Sequence, residues 1–277
     1  MKAMHGRLLF GVALTLLSAQ LPAAGIVDAQ VEGNTLKASL DAGATSAELT
    51  VRFDNVVGLS VDSLGLSLAV VNPLDPNLLS RLGSNSVLPA SAFPLLLRID
   101  PPASGGLSFS GTVTVELYTH NLQYEANTPL RLFSAPTGGE FVDVTSFMGS
   151  GSYRTGARKG TFSEFLIVAD TRSLHAVVSE KFARVDALLD AYGSQIAPPL
   201  SGDLAGLLAA ARTAFETGAT VAAIQYLESF AAAVVERGGD GIPNVWQSSR
   251  ELTNVAGELH AAADTLRFSL TIASNNN

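Results

Sequence analysis

Four residues near the middle of the chain carry its clearest binding chemistry. They form the densest basic patch beyond the amino-terminal segment: Tyr153, Arg154, Arg158 and Lys159. Arginine guanidinium groups form paired hydrogen bonds with carboxylate and phosphate oxygens. Together with the aromatic neighbour, this pattern predicts a loop that binds an anionic glycan or a phosphate. The competing interpretation is a flexible, glycine-rich hairpin over residues 149–160 whose charges are simply solvated.

Three histidines beyond the first segment are candidate metal ligands: His120, His175 and His260. A zinc site needs about three or four converging ligands, and no two of these histidines are close in sequence. His260 has Asp264 four residues later, on the same side of a helix. We therefore expect hydrogen-bonded histidines and no bound metal or other cofactor.

The segment Asp240–Trp246 (DGIPNVW) is similar to the D-G-I-P-D-x-W end of calcium repeats found in exported bacterial proteins. Calcium prefers about six to eight oxygen ligands, and only Asp240 and Asn244 are available in this segment. The sequence therefore favours a turn between helices, in which Pro243 begins a helix and Trp246 anchors it by burial. A calcium site near Asp240 is the alternative.

The chain lacks the common catalytic motifs. It contains no G-x-S-x-G nucleophile elbow, P-loop, H-E-x-x-H or dinucleotide fingerprint. An acid–base pair of carboxylates could still meet in the fold, and four are candidates: Glu116, Glu125, Glu140 and Asp143. One tryptophan and five tyrosines offer few surfaces on which sugar rings could stack. We therefore expect that the protein is not an enzyme.

Composition excludes several further classes of protein. The chain has 277 residues, of which 47% are hydrophobic, and a net charge of −8. This is too apolar for a disordered chain. The absence of cysteine excludes a disulfide scaffold, a thiolate metal site and a cysteine nucleophile. An acidic chain with 17 lysines and arginines cannot neutralise many phosphates, so no nucleic-acid partner is expected.

Residues 1–24 have the pattern of a secretory signal peptide. Lys2 and Arg7 precede an apolar run over residues 8–17, and small residues follow up to Ala24. A transmembrane anchor would need about 20 apolar residues, and this run is interrupted earlier. No later stretch is long and uncharged enough to cross a membrane. The pattern predicts an exported protein, periplasmic or extracellular, with no transmembrane segment in the mature chain.

Residues 25–171 show the period-two pattern of half-buried strands. Ala47, Leu49, Val51 and Phe53 alternate with polar residues, and similar runs are separated by glycine and proline turn signals. These features predict an antiparallel β-sandwich. The segment 72–92 breaks the alternation, which indicates a long connection with one helical turn near residues 77–82.

Residues 172–277 have apolar residues spaced three and four apart, as in amphipathic helices. Glycines at 193, 218 and 238–239 separate four such segments. The apolar stripe predicted for the third helix is Val221, Ile224, Leu227, Val234 and Val235, and the fourth stripe begins at Leu252. Short connections predict a small antiparallel helical bundle. The alternation of Phe268, Leu270 and Ile272 suggests as an alternative that the chain ends as a strand. The fold class is therefore α+β in two domains.

Two resemblances to modules of bacterial surface proteins accompany this division. Residues 180–237 resemble the helical FIMAH module, whose pattern is carried by Leu207, Ala211, Phe215, Gly218, Ala223, Leu227, Phe230 and Val234. Residues 130–133, 141–145 and 162–165 look like a β-module in which Phe141 and Thr161 replace the usual Trp and His. Neither family is an enzyme class, and both usually act as attachment or scaffold modules.

These observations predict a non-enzymatic exported protein that acts as a protein–protein interaction or scaffold module. Its expected partner is an envelope protein or a surface component. The alternative is a module that binds a glycan or a small ligand through the loops of the sandwich.

Overall fold

A computed structural model describes residues 24–275 of the chain. The predicted signal peptide therefore lies outside the described residues, apart from Ala24. The described residues form antiparallel β-sheets and five α-helices, which confirms the mixed α+β class. No helix in residues 24–275 is long and apolar enough to cross a membrane.

The strands occupy two antiparallel sheets. In chain order they are β1 (Gly25–Glu32), β2 (Thr35–Asp41), β3 (Ser46–Val57), β4 (Leu66–Val70), β5 (Val87–Pro89), β6 (Leu95–Ile99), β7 (Ser108–Thr119), β8 (Leu130–Ala135), β9 (Val142–Asp143), β10 (Phe147–Gly149), β11 (Tyr153–Lys159), β12 (Glu164–Asp170) and β13 (Val245–Gln247). The first sheet has the order β1-β2-β3-β7-β11-β10, with β13 also paired to β7. The second has the order β4-β6-β12-β8-β9, with β5 also paired to β12.

Apolar side chains from both sheets form one shared core. Leu49, Val51 and Phe53 of β3 are buried there together with Leu97 of β6 and Phe165 of β12. The polar residues that alternate with them in β3 are more exposed, because successive side chains of a strand point to opposite faces. The period-two pattern of residues 47–53 therefore predicted the correct buried face.

The segment 72–92 covers the other face of the second sheet. It contains the helix α1 (Pro76–Ser80), and the carboxylate of Asp75 caps this helix by accepting a hydrogen bond from the Asn77 amide. Leu78, Leu82 and Val87 pack there against sheet residues, including Phe133. The predicted helical turn is thus confirmed.

Four longer helices follow the last strand of the second sheet. They are α2 (Leu174–Tyr192), α3 (Leu200–Glu216), α4 (Thr220–Glu236) and α5 (Val255–Asn275). The Ser173 hydroxyl caps α2 by accepting a hydrogen bond from the Ala176 amide. Helix α5 contacts α2, α4 and the strands β7 and β11. Helices α3 and α4 form a hairpin that packs mainly on the other helices.

Three expectations for the end of the chain are wrong, and the first concerns Pro243. Pro243 does not begin a helix, since Val245–Gln247 forms β13 and Trp246 lies opposite Phe109 of β7. Burial of the indole against the Phe109 and Phe162 rings favours this pairing.

The last helix begins at Val255 rather than at Leu252, because the Asn254 side chain accepts a hydrogen bond from the Gly257 amide and caps it there. Residues 268–272 are helical and do not form a strand. Leu266, Ser269 and Leu270 are buried at helical spacing, which places one face of α5 in the helical core.

Candidate functional site

The four residues predicted to form a ligand loop lie on the strand β11 instead. Tyr153 and Lys159 are buried between the sheets, whereas Arg154 and Arg158 point to the opposite face. The basic charge of this segment suggested a loop, but the strand buries one of its lysines. The structure therefore does not bring the four side chains together around one ligand.

Both arginines of this group are engaged within the protein. Arg154 forms an ion pair with Glu116 of β7, and its guanidinium lies 4.8 Å from the centre of the Tyr118 ring. The Arg158 Nε lies 3.5 Å from the Asp264 carboxylate of α5, and its Nη1 lies 3.3 Å from His260 Nε2. These contacts position Arg158 between the first sheet and α5.

Lys159 is an unusual buried cation. Its Nζ donates a hydrogen bond of 3.2 Å to the Ser134 hydroxyl of the facing sheet. Burial lowers the pKa of Lys159 to about 8, although the nearby Glu258 carboxylate favours the charged form. The Oε1 atom of Glu258 is itself buried and has no hydrogen-bond partner among residues 24–275.

A second buried cation joins the helices to the second sheet. Lys181 of α2 lies 2.7 Å from Asp143 of β9 and donates hydrogen bonds to the hydroxyls of Thr265 and Ser269 on α5. The Thr265 hydroxyl donates in turn to the Thr145 carbonyl. Burial alone would raise the pKa of Asp143, but the Lys181 charge and the hydrogen bonds lower it below its usual value. We call these five residues the polar seam.

The candidate metal ligands are dispersed. Within the described part of the chain, no group of three or more histidine, aspartate or glutamate side chains could hold a metal ion. His120 Nδ1 lies 2.7 Å from the Ser152 hydroxyl, and burial lowers the pKa of His260. The Asp240 side chain is 96% exposed.

The candidate catalytic carboxylates are also separated. Glu116 is paired with Arg154 on the first sheet, and Asp143 is paired with Lys181 on the second. Glu125 and Glu140 are exposed in loops. Asp143 lines a cavity beside α2, and none of the other three carboxylates lines that cavity.

Helix α4 leaves apolar residues on its solvent side. Its buried face is formed by Ala223, Leu227, Phe230 and Val234. The opposite side has a stripe with spacings of three and four residues, which we call the α4 outer face: Val221, Gln225, Glu228, Ala232 and Val235. Within this stripe, Val221 is 63% exposed and Val235 is 58% exposed. The sequence prediction that these two valines belong to the buried stripe is therefore wrong.

A comparison with protein families matches residues 12–274 to a family of unknown function (DUF6689). The match covers nearly the whole chain. The chain belongs to this family. No curated protein matches the chain. The family description states no activity.

Sequence reasoning missed two features of this region. Lys181 and Asp143 gave no signal, because neither occurs in a recognisable motif and their pairing depends on the fold. The α4 outer face gave only a weak signal, because Gln225 and Glu228 separate its two valines in the sequence.

Proposed function

We propose that the protein is an exported, non-enzymatic module for protein–protein interaction or scaffolding in the periplasm or at the cell surface. In this proposal a β-sandwich module carries a helical bundle module, as the two sequence resemblances imply. The observation that carries the proposal is the pair of exposed valines, Val221 and Val235, on the α4 outer face.

The exposure of this face is costly in water. Burial of apolar surface contributes about 25 cal/mol per Å² that is removed from water, so covering the exposed side chains of Val221 and Val235 would be favourable. The two valines lie about four turns apart on α4, so a partner that covers both must extend along the helix. The other helices pack on the opposite, buried face of α4 and leave both side chains exposed. A partner protein would cover them.

The charges around this face define the chemistry of the partner. The exposed side chains of α3 and α4 include four carboxylates: Asp203, Glu216, Glu228 and Glu236. Arg212, the basic residue of α3, is already paired with Asp186. An apolar segment flanked by lysine or arginine fits this surface. A second copy of the same chain fits poorly, because it would place carboxylates opposite one another.

The proposal can be tested by affinity capture from solubilised cell envelopes. The purified chain is expected to retain an envelope protein. This protein is then purified, and its binding to the chain is measured with the two purified components alone. The double variant Val221→Asp with Val235→Asp should lose most of this binding, because it places charge inside the apolar contact.

A matched control places the same change at exposed apolar residues elsewhere. Val57 and Leu74 are 72% and 75% exposed, and neither belongs to α4. The double variant Val57→Asp with Leu74→Asp should bind the partner as tightly as the wild-type protein does. Equal binding by both double variants, or no specific envelope protein at all, would contradict the proposal. If light scattering showed that the chain associates with itself through this face, self-association would replace binding of an envelope protein as the proposed function.

A further inference from the structure

A polar cavity lies at one end of the two sheets, and no residue of α4 lines it. Three connecting loops and the segment after β13 meet there, and the cavity has a volume of about 260 Å³. We call it the loop-end cavity and define it by six of its residues: Asp100, Thr137, Thr161, Ser163, Trp246 and Arg250. Small-molecule sites usually measure about 300–1,000 Å³, so this cavity suits a ligand at or below the lower limit.

Ser163 supplies an unused hydrogen-bonding group at this site. The residue is 5% exposed, and its Oγ has no hydrogen-bond partner among the described residues. Buried hydroxyls are nearly always paired, because an unpaired one loses its bonds to water without compensation. Thr137 and Thr161 add two hydroxyls that can both donate and accept. A ligand with several hydroxyl groups would match them.

The charges in the cavity cancel. The guanidinium of Arg250 forms an ion pair with the carboxylate of Asp100, so the lining carries no net charge. A charged ligand would have to compete with this pair, whereas a neutral ligand can accept from the guanidinium and donate to the carboxylate. The apolar part of the lining consists of Ile99, Pro136 and the rings of Phe162 and Trp246.

We infer that the loop-end cavity binds a single neutral sugar residue, free or at the end of a glycan. A pyranose ring combines several hydroxyls with apolar C–H groups, which are the two kinds of surface that this lining offers. The inference goes beyond the proposed protein interaction and uses different residues. Loss of either activity would therefore leave the other intact.

The tryptophan provides a direct measurement. Trp246 is the single tryptophan of the chain and lines this cavity, so tryptophan emission reports on the surroundings of one residue at the site. The purified chain is titrated separately with glucose, galactose, mannose and N-acetylglucosamine. At least one of these sugars should change the tryptophan emission, and the change should saturate as the sugar concentration rises.

Two variants locate the binding. Ser163→Ala removes the unpartnered hydroxyl, and Thr137→Val removes the hydroxyl of an exposed loop residue. Each should weaken sugar binding about three- to tenfold, the effect of one lost hydrogen bond. Ser229→Ala, on the exposed side of α4, is the matched control and should bind normally. Absence of a saturable change with all four sugars, or unchanged affinity in both cavity variants, would overturn the inference.

Discussion

Lys181 Nζ lies 2.7 Å from Asp143 Oδ2, and the two side chains are 4% and 3% exposed at the boundary between the helices and the second sheet. The apolar core between the sheets and the apolar core of the helices are separate clusters. This ion pair and its hydrogen-bond partners Thr265 and Ser269 lie between them. The attachment of α2 and α5 to the second sheet therefore depends on matched polar groups as well as on apolar contact.

Removing one partner of this pair should be strongly destabilising. Lys181→Met leaves the Asp143 carboxylate buried without its counter-charge, which is expected to cost about 3–5 kcal/mol of unfolding free energy. The double variant Lys181→Met with Asp143→Asn should recover much of the loss, because the amide oxygen can still accept the Thr145 amide hydrogen bond. Urea unfolding at pH 7 measures both values. Lys37→Met, at an exposed position of β2, is the control and should change little.

Lys159 should make stability increase with pH. The pKa of Lys159 is about 8 in the folded protein, compared with an ordinary value of 10.5. Below pH 8 the lysine is therefore protonated in both the folded and the unfolded protein, and the folded protein bears the full cost of burying the charge. Between pH 8 and 10.5 the unfolded state binds more protons, and the unfolding free energy should rise by up to about 3 kcal/mol. Lys159→Met should remove this rise of the unfolding free energy with pH, whereas the control variant Lys37→Met should retain it. A variant with the same slope as the wild type would show that Lys159 titrates normally.

The regular elements could be predicted because their burial repeats along the sequence. Leu49, Val51 and Phe53 alternate on one side of a strand, and Leu204, Leu208 and Ala211 repeat on one side of a helix. Such patterns reflect the backbone geometry alone. They required no knowledge of distant parts of the chain.

The features missed from sequence all depend on distant contacts. The strand β13 forms because Trp246 fits beside Phe109, which occurs much earlier in the chain. Lys159 was assigned to a ligand loop together with the neighbouring basic residues, yet it is buried and donates a hydrogen bond to the Ser134 hydroxyl of the facing sheet. The loop-end cavity could not be predicted either, since Asp100, Ser163 and Arg250 meet only in the fold.

Asn254 should stabilise α5 in two ways. Its Oδ1 accepts the Gly257 amide at 2.8 Å, and its Nδ2 donates to the Gly111 carbonyl of β7 at 2.7 Å. Asn254→Ala should cost about 2 kcal/mol or more, because it removes a helix cap and a buried bond to the sheet. Ser173→Ala removes only the cap of α2 and should cost about 1 kcal/mol. Thermal unfolding compares the two, and equal losses would mean that the bond to Gly111 contributes nothing.

Two glycines should respond to the same substitution in opposite directions. A Cβ at Gly160 would overlap the backbone of Gly257 and Glu258, where α5 packs against the end of β11. Gly160→Ala should therefore destabilise the protein by about 1–3 kcal/mol. Gly206 lies inside α3 with open space around it, so Gly206→Ala should stabilise by about 0.5–1 kcal/mol through helix propensity. Denaturant unfolding measures both changes. A neutral Gly160→Ala would contradict the close approach of α5 to this strand, whatever the result at Gly206.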